Sequence, residues 1–292
     1  MNLHWLKKYK LYITILFSCL LIMILFTINE TNIIYILKNF LSNVEYRENF
    51  ALAESTIKEN LNVFEVIQLV FSEYKWTYDY MTIWGTNIFQ VLIPCLSAIT
   101  GLLFFNKMHT IYKIALYRSQ EKNTFKFFTK EAKKDSRKMA FSIFLSYLTF
   151  SFICLFISKG ARNLSISREL FLDLLGDRFY YNHTYIYYLL EGFIRFYIVP
   201  FIYSMFSCAL SLMYNNKKQV FFAPIVYYFG LTLFSLALQY IIGNFAIYIN
   251  PTTIMVSGSY ENINTIILLL FTFTPLIISY IIMFRKSKNV EI

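Results

Sequence analysis

Residues 263–284 read INTIILLLFTFTPLIISYIIMF, and the first charged side chains after them are Arg285, Lys286 and Lys288. About 20 consecutive apolar residues are what an α-helix needs to cross the ~30 Å hydrocarbon core of a bilayer. Working back through the chain, comparable stretches fall at 220–249, 187–212, 139–158, 83–105 and, slightly shorter, 11–28. The expectation is an all-α, polytopic integral membrane protein: one transmembrane domain over residues 1–292, with six spans and additional amphipathic interfacial helices.

Composition agrees with that reading. Of 292 residues, 57% are hydrophobic and 15% charged, too apolar a balance for a soluble domain of this length to enclose. Cys19, Cys95, Cys154 and Cys208 all lie within the apolar stretches, where they act as small hydrophobes and form no extracytoplasmic disulfide framework. The first stretch follows Lys7, Lys8 and Lys10 like a signal sequence, but Phe26 to Glu30 offer no small-residue cleavage site, so it reads as a retained anchor.

Orientation follows from the basic loops, which resist translocation. The N-terminal tail, residues 106–138, Lys217 with Lys218, and the tail from Arg285 hold 18 of the 27 basic residues and only four acidic ones, Glu121, Glu131, Asp135 and Glu291. These segments are expected in the cytoplasm, with both termini inside and the protein in the plasma membrane. The remaining loops are acidic on balance. Trp5, Trp76 and Trp84, with Tyr9, Tyr12, Tyr78 and Tyr80, stand where the first two spans should meet the headgroups.

The outer loop 29–82 carries eight acidic and four basic residues. Within it Val63, Val66, Ile67, Val70 and Phe71 recur at helical spacing, which predicts an amphipathic helix on the membrane face or against the bundle. Leu170, Phe171, Leu174 and Leu175 form a similar stripe that Gly176 should end.

In the cytoplasmic loop 106–138, Met108, Ile111, Tyr112, Ala115 and Leu116 recur at steps of three and four while Lys107, Lys113 and Arg118 lie off the stripe, predicting a short amphipathic helix at the inner interface. Such a helix can dock a cytoplasmic partner or rest on headgroups. Lys122, Lys126, Lys130, Lys133, Lys134, Arg137 and Lys138 then put a basic stripe on a helix leading into the third span. That stripe suits anionic membrane lipid, and the charge is topological rather than a nucleic-acid footprint.

This order resembles the permease subunits of the second class of ATP-binding cassette exporters in bacteria: a span containing Pro94, a short amphipathic helix, the run Ala115-Leu116-Tyr117-Arg118-Ser119 with Lys130 downstream, then another span. The resemblance implies that residues 106–118 are a coupling helix. Its docking residues would be Met108, Ile111, Tyr112, Ala115, Leu116 and Arg118, meeting a nucleotide-binding ATPase subunit, and a second permease subunit would complete a homo- or heterodimer. A glutamate often opens that helix in the family; Asn106 stands near the point here. ATP would be hydrolysed on the separate subunit, since this chain has no Walker-type phosphate loop, and no cofactor is expected on it. The small size and composition resemble antimicrobial-peptide export and immunity systems. The alternative is a non-transporting immunity or sensor protein that binds a peptide at its outer loops.

Catalysis finds no support in the residues. His4, His109 and His183 form no metal-binding helix motif, and no nucleophile elbow is present. Glu191 and Arg195, four apart on one helical face, can pair. Inside the membrane such a pair marks a functional site; at the interface it only orients the helix.

Overall fold

The computed structural model describes residues 3–30, 77–108, 124–158, 171–256 and 263–288. The expected helix at 63–71 and Leu170, Ile111, Tyr112, Ala115, Leu116 and Arg118 lie outside these residues. Among the described residues there is no strand, and six helical segments are long and apolar enough to cross a membrane: Lys10–Asn29, Phe89–Lys107, Thr124–Ile157, Thr184–Ser211, Lys217–Tyr248 and Thr265–Lys288. The chain is an all-α, multi-pass membrane protein.

The spans are less uniform than hydropathy implies, and each interruption has a local cause. The second is broken. Thr77 caps a short helix, Tyr78–Thr86, by accepting from the Tyr80 N–H at 3.4 Å, and the helix resumes at Phe89. Thr86 turns its hydroxyl back onto the carbonyls of Thr82 and Ile83 at 2.8 and 3.1 Å, a competition that loosens a helix end. Tyr78, Asp79, Met81 and Thr82 are buried, so residues 78–82, expected in the outer loop, belong to the bundle instead. Trp84, on the same helix, remains over a third exposed.

The fourth span widens to a π turn over Ile194–Ile198, just before Pro200. A proline cannot donate to the carbonyl one turn back, so the preceding turn is free to take an extra residue. In the fifth span, Asn216 caps Lys217–Ile242 by accepting from the Lys218 N–H at 2.9 Å. Gly243, at φ 61°, ends that helix, which then tightens to a 3₁₀ turn over Gly243–Tyr248; the left-handed backbone there suits a residue without Cβ. The sixth span steps at Phe273, before Pro275.

The third helix, Thr124–Ile157, is 34 residues long, roughly 50 Å at 1.5 Å per residue, well beyond a bilayer core of about 30 Å. Its apolar part begins at Met139, so the preceding turns project past the core and carry Lys126, Lys130, Lys133, Lys134, Arg137 and Lys138. The basic stripe and the third span are one continuous rod. Beyond it, the leucine stripe is a single turn, Leu172–Leu175, closed by Gly176 at φ 79°, with Leu174 and Leu175 exposed.

The fourth span is the most enclosed of the six, while the first, fifth and sixth present most of their surface outward. It meets the second span through small residues: Thr100 Oγ1 lies 3.4 Å from Ser204 Oγ, and a Cβ on Gly101 would fall 2.9 Å from the Ser207 carbonyl oxygen. In lipid, where apolar burial gives helices little reason to associate, such close approach supplies the packing energy. At the basic end, Phe104, Met108, Phe128, Ala132, Met205, Cys208 and Met283 form one buried cluster. The larger cluster fills the opposite half with aromatic rings, including Tyr78, Tyr147, Tyr187, Tyr188 and Phe196.

Gly101→Ala is therefore expected to lower the thermal midpoint in detergent, by the roughly 1–3 kcal/mol typical of overpacking. Gly230→Ala places its methyl in open space and serves as the matched control. Equal midpoints for the two variants would mean that the approach of spans two and four does not limit stability.

Candidate functional site

Glu191 and Arg195 are 2% and 3% exposed, enclosed by the bundle. Glu191 lies seven residues into the span that starts at Thr184, roughly 10 Å along the helix axis. Glu191 Oε1 and Arg195 Nη1 are 3.2 Å apart. The other guanidinium arm, Nη2, donates to the backbone carbonyl of Met255.

Met255 reaches this depth because the connection between spans five and six turns inward. Thr253, Ile254 and Met255 form one buried 3₁₀ turn. Irregular backbone inside a membrane protein persists only where protein groups satisfy its hydrogen bonds, and here they do. Asn250 Oδ1 accepts from the Thr252 N–H at 3.0 Å and from its hydroxyl at 2.8 Å. Thr253 Oγ1 donates to the Ile247 carbonyl at 2.9 Å, and the Tyr228 hydroxyl donates to Pro251 at 3.4 Å. This inward turn, labelled the plug, is tied to the fourth span by Arg195, its latch.

Aromatic packing holds the latch in place. The Tyr147 ring stacks on Phe196 at 4.5 Å between centroids, and its hydroxyl donates to the Tyr188 carbonyl at 2.7 Å. Gly192 makes this approach feasible, since a Cβ there would lie 2.0 Å from a Tyr147 ring carbon. The sixth span's N-terminus is fixed nearby by a residue far away in sequence: Asp173 accepts from the Thr265 N–H at 2.7 Å and from its hydroxyl.

A second polar constellation lies at the basic end. Lys107, closing the second span, bonds Glu131 and reaches Asp135 at 3.2 Å, both on the projecting part of the third helix. This clamp brackets the base of residues 109–123. Met108, an expected docking residue, is 6% exposed within the basic-end cluster.

Sequence reading paired Glu191 with Arg195 and missed their third partner, because Met255 contributes only a carbonyl. The available signal was Asn250-Pro251-Thr252, a turn-forming sequence followed by apolar residues. The clamp was missed too, although Glu131 and Asp135, four apart in a basic stripe, were its signature. No family model, no curated protein and no solved structure matches the chain.

Removing one member of a buried ion pair strands the other, at a cost of about 3–5 kcal/mol, whereas removing both is often far milder. Arg195→Met is expected to destabilise the protein by that order in a detergent melt, and the E191Q/R195M double variant to recover part of the loss. A double variant no better than the single would show that the Met255 contact, not the buried charge, dominates.

Proposed function

We propose that this chain is the membrane-spanning permease subunit of an ATP-driven exporter, with a separate nucleotide-binding subunit docked at the basic end. The observation that carries the reading is the clamp of Lys107 to Glu131 and Asp135. A partner pushing on residues 109–118 acts on spans two and three together, because the two are tied where that segment leaves them. The third helix then runs unbroken to Tyr147, roughly 24 Å beyond Glu131, where it meets the helix that carries the latch. A rigid helix packed against a two-state element is a physical route for coupling. In this reading, nucleotide-driven movement of the basic end shifts Arg195 away from Met255 and releases the plug. A second permease subunit, identical or homologous, completes the path, and the basic end faces the cytoplasm at the plasma membrane.

Within this mechanism Met108 holds the coupling segment to the bundle, leaving Ile111, Tyr112, Ala115, Leu116 and Arg118 for the partner. An immunity or sensor protein is the second reading. It draws on a cavity of about 220 Å³ beside the plug, walled by Tyr203, Tyr227, Tyr248 and Phe271, which a small apolar group would fit.

Tagged full-length protein is expected to copurify with an ATPase subunit identifiable by mass spectrometry. Replacing Ile111, Tyr112 and Leu116 with glutamate should abolish recovery of that subunit while the thermal midpoint holds. Recovery at the unsubstituted level would reject the docking assignment; absence of any ATPase partner from the unsubstituted protein would favour the sensor reading.

A further inference from the structure

At the basic end a hollow of about 480 Å³ lies between the third and sixth helices, lined by Phe125, Tyr280, Ile281, Phe284, Arg285 and Lys288. Its floor is aromatic: Phe125 and Phe284 meet edge to face at 5.8 Å. Its rim is cationic. The Lys288 ammonium lies 4.5 Å from the Phe284 ring centroid, and Lys133, on the third helix, lies 5.5 Å from that of Tyr280. Arg285 and Lys288 stand three apart in a helix, on neighbouring positions of one face.

Charge separates these cations from others at the same end. Lys107 and Lys134 have the carboxylates of Glu131 and Asp135 for partners. Among the described residues, no carboxylate pairs with Lys133, Arg285 or Lys288, and no acidic side chain lines the hollow. The hollow opens where the apolar run of the sixth span gives way to its basic tail, the position at which a span is expected to pass from acyl chains to headgroups.

We propose that this hollow binds one anionic phospholipid, with its phosphate between Arg285 and Lys288 and its first acyl carbons against Phe125, Phe284 and Ile281. An apolar floor beneath a cationic rim matches the two ends of such a lipid. Basic pockets between helices at a membrane surface recognise lipid headgroups in this way, and arginine supplies paired donors to phosphate oxygens. A zwitterionic lipid brings its own ammonium against these cations and is disfavoured. A soluble phosphate leaves the aromatic floor bare. The site is independent of any ATPase partner and of the direction in which the chain is inserted.

Native mass spectrometry of the full-length protein tests this, after exchange into detergent with equimolar phosphatidylglycerol and phosphatidylcholine of matched acyl chains. Phosphatidylglycerol is expected to be retained preferentially by the unsubstituted protein, and excess inorganic phosphate should not displace it. Retention should fall roughly tenfold or more in the R285Q/K288Q variant, the order expected for two surface cations facing an anionic lipid. The K217Q/K218Q variant, with the same charge removed elsewhere at the basic end, should retain it fully. Equal retention of the two lipids by the unsubstituted protein overturns the proposal whether or not any variant folds. So does displacement by inorganic phosphate, or an equal loss in K217Q/K218Q, which would reduce the effect to general surface charge.

Discussion

A peptide group that leaves its helix inside a bilayer must find another hydrogen-bond partner, because lipid offers none. That constraint makes the chain helical, and it governs the places where the chain departs from a helix. The plug between spans five and six is stable because Asn250, Thr253, Tyr228 and Arg195 take up polar groups that a helix would have satisfied by itself. Arg195 in turn is tolerable inside the bundle because Glu191 neutralises it. The charge pair and the irregular backbone therefore support one another, with Arg195 bonded to both.

The two ends of the molecule solve different electrostatic problems. At the basic end a few carboxylates are concentrated on Lys107 and Lys134, which ties the end of the second span to the third helix. At the opposite end Asp173 acts on backbone and hydroxyl donors, capping the sixth span at Thr265. A negative charge at a helix N-terminus is favoured by the helix dipole as well as by the bonds it accepts.

Six apolar runs were legible because length and hydropathy are properties of a segment by itself. The interruptions inside them were not. Hydropathy treats Phe89 and Asn87 as parts of one crossing, and it treats the π turn before Pro200 as ordinary helix; both depend on how the backbone bonds are shared locally. The Glu191–Arg195 pair was legible from spacing, but its enclosure was not, since that depends on Met255, 60 residues away. Met108 is a different case: it was placed on an amphipathic stripe, and a stripe does not say whether its apolar face meets a partner or the protein's own Phe104 and Phe128.

The third helix, long enough to overshoot the bilayer, also determines how the protein meets membranes of different thickness. Its lysines and Arg137 have aliphatic stems that can lie along apolar surface while their charges stay in water. A thicker membrane can therefore draw another turn inward, and a thinner one can release it, each at a cost of only fractions of a kcal/mol per Å. Because the Lys107 clamp and the buried Phe128 and Ala132 hold these turns to the bundle, such an adjustment carries the basic end with it as one body.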